Sequence, residues 1–262
     1  MPAKDDSNEP VFKPSGKTGS LGKRLHPSGP QPDMIAFLLP LITFMFMAGM
    51  SPNFEGESPA PNAALHYLWL ILAEVAVLTI LIGYFWRVYL DHFPFRINHW
   101  GVIAGAAGIV LWVGVCSLHL ESSLIATLGL SEYPARPGFN PYANFSDRTQ
   151  FIAFVVSRFI LLSLLVPLCE ELFLRGWLVR YVENPNWQRV YLAQVGWRGC
   201  LAVAIYAAVS HPAEIIAAVA WFSLISWLMI KTGKFWNCVL AHSVTNFLLG
   251  LYVMRSQEWQ YW

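Results

Sequence analysis

Six stretches of the chain are long and apolar enough to cross a bilayer, and they limit what it can fold into. They are residues 34–50, 67–86, 100–120, 151–168, 215–230 and 235–254, where a spanning helix needs about 20 mostly apolar residues. A seventh, shorter run, 199–209, reaches across only if its helix begins near Val190. Inside lipid every backbone N–H and C=O must be satisfied within the chain, which leaves helices and closed barrels. Long apolar runs of this kind are helices. The expected fold is therefore all-α, a polytopic transmembrane bundle of about seven helices. Composition agrees: 56% of residues are hydrophobic and 13% charged, against about 25% charged in an ordinary soluble domain.

Residues 1–33 are polar and rich in Pro, Gly, Ser and Lys, as a disordered tail is, and residues 34–262 form the membrane domain. Positive charge sets the orientation, because Lys and Arg are retained on the cytoplasmic side. With the N-terminus in the cytoplasm, thirteen Lys and Arg fall inside; only Arg136, Arg148 and Arg255 fall outside, and Arg158 lies within a span. Segment 121–147 is turn-rich and expected to face outward. Trp86, Trp100, Trp236, Tyr252 and the ending SQEWQYW read as headgroup-level anchors.

A net charge of +1 and the lack of a basic patch interleaved with aromatics exclude a nucleic-acid partner. The four cysteines (Cys116, Cys169, Cys200, Cys238) lie in apolar segments without a CxxC pair, so a disulfide framework or zinc knuckle is not expected. Cys169 has no base at a telling spacing and reads as a buried small hydrophobe.

Polar residues inside the spans carry the functional signal, since each costs roughly 2.5–3.5 kcal/mol at a helix centre. The sequence PLCEELFLRGW places Glu170 and Glu171 side by side after a hydrocarbon run, with Arg175 four residues on. Glu171 and Arg175 share a helical face and form a natural ion pair, while Glu170 points about 100° away. His242 and Asn246, in HSVTN, project to one side of the last helix. At 1.5 Å per residue, Glu170, His211 and His242 lie roughly 15, 20 and 12 Å from the cytoplasmic surface. Three helices thus bring polar groups to one layer, expected to open toward the cytoplasm. Glu74 and Arg158 follow no pattern and stay outside this set.

Two carboxylates in contact do not both ionise easily in low dielectric unless a cation neutralises one. With Glu171 held by Arg175, Glu170 is placed to act as base for a trapped water, and His211 to share it. His242 and the Asn246 amide offer N–H donors to a developing oxyanion. These parts suit hydrolysis of a peptide bond within a membrane.

The set EELFLR, a later histidine and HSVTN resembles the three signatures of the CPBP family of CAAX-protease and bacteriocin-processing intramembrane proteases (EExxxR, an aromatic four residues before His, and HxxxN), across about residues 150–255. SHPAE and the chain's ending resemble the exosortase-associated branch. The resemblance implies that Glu170 with His211 activates water, that His242 with Asn246 forms the oxyanion hole, and that Glu171 and Arg175 complete the first signature. It also implies an integral protein of a bacterial inner membrane, acting on a membrane-anchored protein or peptide, with an exosortase-type sorting system as partner. One departure stands out: Ala207 occupies the aromatic position of the second signature, with Tyr206 one place earlier. No cofactor is expected, because HExxH is missing and a neutral Asn is a poor zinc ligand; zinc on Glu170, His211 and His242 is the alternative. Rhomboid-type GxSG and presenilin-type GxGD motifs are missing too. A non-catalytic scaffold or immunity protein and a proton-coupled transporter are the competing readings, although no inverted repeat supports the transporter.

Overall fold

The computed structural model describes residues 31–52, 54, 62–121 and 138–261. Most of the expected tail, residues 1–30, and most of segment 121–147 lie outside the described residues. Among the described residues, seven long helices follow in order: α1 (Gln31–Ala48), α2 (Ala63–His92), α3 (His99–Cys116), α4 (Arg148–Glu183), α5 (Trp197–Ser210), α6 (Ile215–Thr232) and α7 (Phe235–Ser256). No strand occurs among the described residues.

Five of these, α2, α3, α4, α6 and α7, are long and apolar enough to cross a membrane. The seventh span expected from sequence is corrected: α5 begins at Trp197, not near Val190, and has 14 residues. That is about 21 Å of rise, short of a roughly 30 Å hydrocarbon core. Residues 187–195 instead form two short 3₁₀ turns and extended connections. Glu183, the last residue of α4, accepts from the N–H groups of Gly196 and Gly199 at 2.9 Å each and so fixes where α5 starts. Pro212 follows its other end, where a proline removes a backbone donor and blocks a further turn.

Helix α4 is twice the length read from the sequence. Asp147 caps its start by accepting from the Gln150 N–H at 2.8 Å. It then runs 36 residues, so the paired glutamates sit inside it rather than at its end. Arg180, near the end of this helix, is a charged residue of the kind that marks the end of an apolar span, yet it is buried. Its guanidinium donates to the carbonyls of Val190, Gly176 and Gln188 at 3.0, 3.1 and 2.9 Å, which satisfies the charge without exposing it.

The ends of the helices define two faces of the bundle. At the basal end, Phe37 of α1 meets Tyr89, Phe93 and Trp187, and Asn98 before α3 pairs with Asn237 of α7. At the far end, Gly250 of α7 abuts Phe159 of α4. Trp236 is buried and donates to the Phe93 carbonyl at 2.8 Å, so its indole packs within the bundle.

Glycines set the closest approach, between α3 and α7. A Cβ on Gly105 would lie 2.7 Å from the Ala241 carbonyl, and one on Gly108 would lie 2.5 Å from Thr245 Oγ1. Small residues at such spacing let membrane helices pack backbone to backbone. The Thr245 hydroxyl uses that proximity to donate to the Gly105 carbonyl at 2.9 Å.

Candidate active site

Helix α4 carries two π-helical turns, Leu161–Leu165 and Leu172–Leu178, on either side of the turn Val166–Glu171 that bears the glutamates. The Val166 N–H bonds the carbonyl of Leu161, five residues back. In that register the next donor, for Leu162, would be residue 167, and Pro167 has no N–H. The Asn246 side-chain amide of α7 supplies the missing donor, 2.9 Å from the Leu162 carbonyl. Such π turns recur at functional sites; here one ties α4 to α7 beside the glutamates.

Glu171 is wholly buried, with Oε1 3.1 Å from Arg175 Nη1 and 3.1 Å from His242 Nδ1. Arg175 also donates to the Phe222 carbonyl at 3.3 Å. Glu170 turns the other way, as the helical geometry required. Its Oε1 accepts from the Tyr206 hydroxyl at 2.9 Å, and its Oε2 lies 3.5 Å from His242 Nε2. The imidazole of His242 thus stands between two carboxylates. Trp221 packs on that ring with centroids 4.5 Å apart, and its Nε1 donates to Thr245 at 3.2 Å.

Buried net charge is costly; the Arg175 guanidinium offsets one of the two adjacent carboxylates, and His242 lies in contact with both.

A cavity of about 310 Å³ opens against this cluster. Glu170, His211, His242 and Asn246 all line it, drawn from α4, the end of α5 and α7. Glu171 and Arg175 do not; they stand behind it. The six residues singled out by sequence are thus brought together, four at the cavity and two as the buried pair that orients them. Cys169 is wholly buried and does not reach the cavity. Among the described residues, no group of three or more His, Cys, Asp or Glu is arranged to hold a metal ion.

Residues 152–248 match the family model of the Rce1-like type II CAAX prenyl endopeptidases. This segment is similar to the CAAX-type membrane proteases. The matched segment covers α4 from its fifth residue onward through most of α7, and so holds every residue of the cluster. No curated protein matches the chain. No solved structure matches it either.

Residues outside the set expected from sequence also reach the cluster or its cavity. Tyr206 is one; its hydroxyl is a direct partner of Glu170. The only signal was an aromatic displaced by one place from the family position, five residues before His211 rather than four. Arg158 lines the cavity, 12 residues before Glu170, and donates to the Tyr67 hydroxyl. Its presence inside an apolar span was the available clue. Tyr261, read as a headgroup anchor, lines the cavity as well.

The direction of opening is corrected. The cavity was expected to face the end of the bundle that carries the N-terminus. Its walls instead run from Glu170 and His242 to Ala48, Arg158, Gly250 and Tyr261, at the far end. Helix α5 stops inside the bundle at Ser210, and the cavity lies beyond its end, where Ser210 and His211 line it.

Proposed function

We propose that this chain hydrolyses a peptide bond of a membrane-anchored protein or peptide with a water activated by Glu170 and His211. The observation that carries this reading is that Glu170, His211, His242 and Asn246 line one cavity, with Glu170 Oε2 3.5 Å from His242 Nε2. Glu170 takes a proton from the water as its oxygen attacks the scissile carbonyl. The oxyanion that forms is stabilised by N–H donors from Asn246 and protonated His242. An amide carries two donor hydrogens, so Asn246 keeps one for this role while the other serves the Leu162 carbonyl. The proton taken from water passes to the leaving nitrogen, and the products are a carboxylate and an amine.

Arg175 supports a mechanism without metal. A guanidinium one helical turn from Glu170 opposes a second cation in the cluster, and Glu171, the remaining carboxylate, is already held by Arg175 and His242. A sorting system of the exosortase type is the partner this reading favours, on the likeness of the SHPAE and C-terminal segments. Processing of a membrane-anchored substrate in cells carrying wild type, Glu170→Gln or His242→Ala tests the assignment. Both variants are expected to accumulate in the membrane and to lose processing. Full processing by Glu170→Gln would return the chain to the scaffold reading.

A further inference from the structure

The two ends of the bundle differ in access. Toward the far end, the cavity rises past Leu162 and Arg158 on α4 and past Asn246, Leu249 and Gly250 on α7. From Glu170 to Arg158 is 12 residues, roughly 18 Å of helical rise. Toward the basal end the same layer is sealed: Leu172, Leu174, Arg175, Leu228, Met229 and Cys238 have no exposed surface. Interiors packed this way admit neither water nor a chain.

Charge marks the faces independently. Of the seventeen Lys and Arg, twelve precede α1 in sequence or lie at the basal ends and connections of the helices. Arg136, Arg148 and Arg255 belong by sequence to the far end, while Arg158 and Arg175 are inside the bundle. Retention of Lys and Arg on the cytoplasmic side makes the basal end cytoplasmic.

We propose that the scissile segment reaches Glu170 from the extracytoplasmic face, so that the substrate class is the extracytoplasmic portion of a membrane-anchored protein. The inference takes the hydrolase reading of the cavity as given and adds the side from which it is supplied. An extended peptide advances about 3.3 Å per residue, so roughly five residues span the distance from the Arg158 level to Glu170. The segment must enter unfolded, because the cavity of about 310 Å³ has no room for a folded element.

Thiol labelling tests this without any substrate. Leu249→Cys and Ala48→Cys place thiols on the cavity wall; Tyr142→Cys marks the far end and Asn186→Cys the basal end. Each is made in a chain that also carries Glu170→Gln, with the parent lacking the added thiol as background. A charged, membrane-impermeant maleimide is applied to intact cells and to inverted membrane vesicles. Leu249→Cys and Ala48→Cys are expected to react in intact cells together with Tyr142→Cys, and to lose that labelling in inverted vesicles, where Asn186→Cys reacts. Cavity thiols that react only alongside Asn186→Cys, or from neither side, overturn the proposal. So does labelling of Asn186→Cys, rather than Tyr142→Cys, in intact cells. Failure of the hydrolase reading would appear elsewhere, as processing that survives Glu170→Gln, and would leave the labelling pattern untouched.

Discussion

The Tyr206 hydroxyl donates to Oε1 of Glu170 across 2.9 Å, bridging α5 to α4 at the wall of the cavity. The bond fixes one carboxylate oxygen while the other faces His242, and it leaves Glu170 a single orientation toward the cavity. Hydrogen bonds to charged groups contribute about 1.5–3 kcal/mol, and 1.4 kcal/mol is tenfold in rate. Tyr206→Phe keeps the ring and removes the donor. It is expected to lower kcat by roughly 10- to 100-fold with KM little changed. A reconstituted peptide-cleavage assay reads the split; a rise in KM alone would mean that the hydroxyl serves binding and not Glu170.

Ser210 fixes which nitrogen of His211 carries the proton. Its Oγ lies 2.8 Å from the Tyr206 carbonyl and 2.8 Å from His211 Nδ1. A carbonyl only accepts, so both contacts are hydrogen bonds only if the hydroxyl donates to Tyr206 and accepts from Nδ1–H. Nε2 is then the basic nitrogen of the ring, the form a proton acceptor needs. Ser210→Ala should reduce kcat by about tenfold, the cost of one hydrogen bond of about 1.5 kcal/mol, and Ser210→Thr should restore it. Equal loss in both variants would show that the site needs the serine for packing.

Much of the site was legible in the sequence because helical geometry is rigid. The 100° turn between adjacent residues separates Glu170, at the cavity, from Glu171, on Arg175, and the four-residue spacing puts His242 and Asn246 on one wall. What escaped depends on how helices end and cross. The length of α4 was hidden because Arg180 resembles a boundary residue until its three carbonyl partners are seen. Tyr206 was hidden because its reach depends on the packing of α5 against α4, which no spacing rule supplies. The side of opening was hidden because the cavity lies beyond the end of α5, a helix bounded by Glu183 at one end and Pro212 at the other.

The α3–α7 contact holds His242 in place through Thr245 and Trp221, and glycine makes that contact possible. Gly105→Ala would put a methyl group 2.7 Å from the Ala241 carbonyl, a backbone atom that cannot rotate away. Overpacking of this kind costs about 1–3 kcal/mol, so a lower melting temperature in detergent and reduced cleavage are expected together. Gly114→Ala is the control on the same helix. Nothing lies within 4 Å of its added methyl group, and replacing a helical glycine with alanine is favourable by up to about 1 kcal/mol. Equal behaviour of the two variants would remove the packing argument.

A metal-free mechanism makes a plain prediction about chelation. Purified protein treated with a strong chelator and passed into metal-free buffer should retain its cleavage rate. Complete loss that zinc alone restores would assign Glu170, His211 and His242 to a metal instead.

Asn246 has a structural duty as well as the chemical one proposed for it, and the two separate on substitution. Its amide completes the hydrogen bonding of the Leu162 carbonyl, which Pro167 leaves without a main-chain donor in the π turn. Asn246→Ala abandons that carbonyl in the bundle, at a cost of about 1–3 kcal/mol, and should lower both the melting temperature and kcat. If Asn246 served only the oxyanion, the melting temperature would not move. Restoring the main-chain donor with Pro167→Ala in the Asn246→Ala background tests the link directly. The double variant should recover stability, because residue 167 can again reach the Leu162 carbonyl, yet remain slow, because the oxyanion donor is still missing. Recovery of both would make the asparagine a structural clamp with no part in the reaction, and recovery of neither would separate the π turn from Pro167.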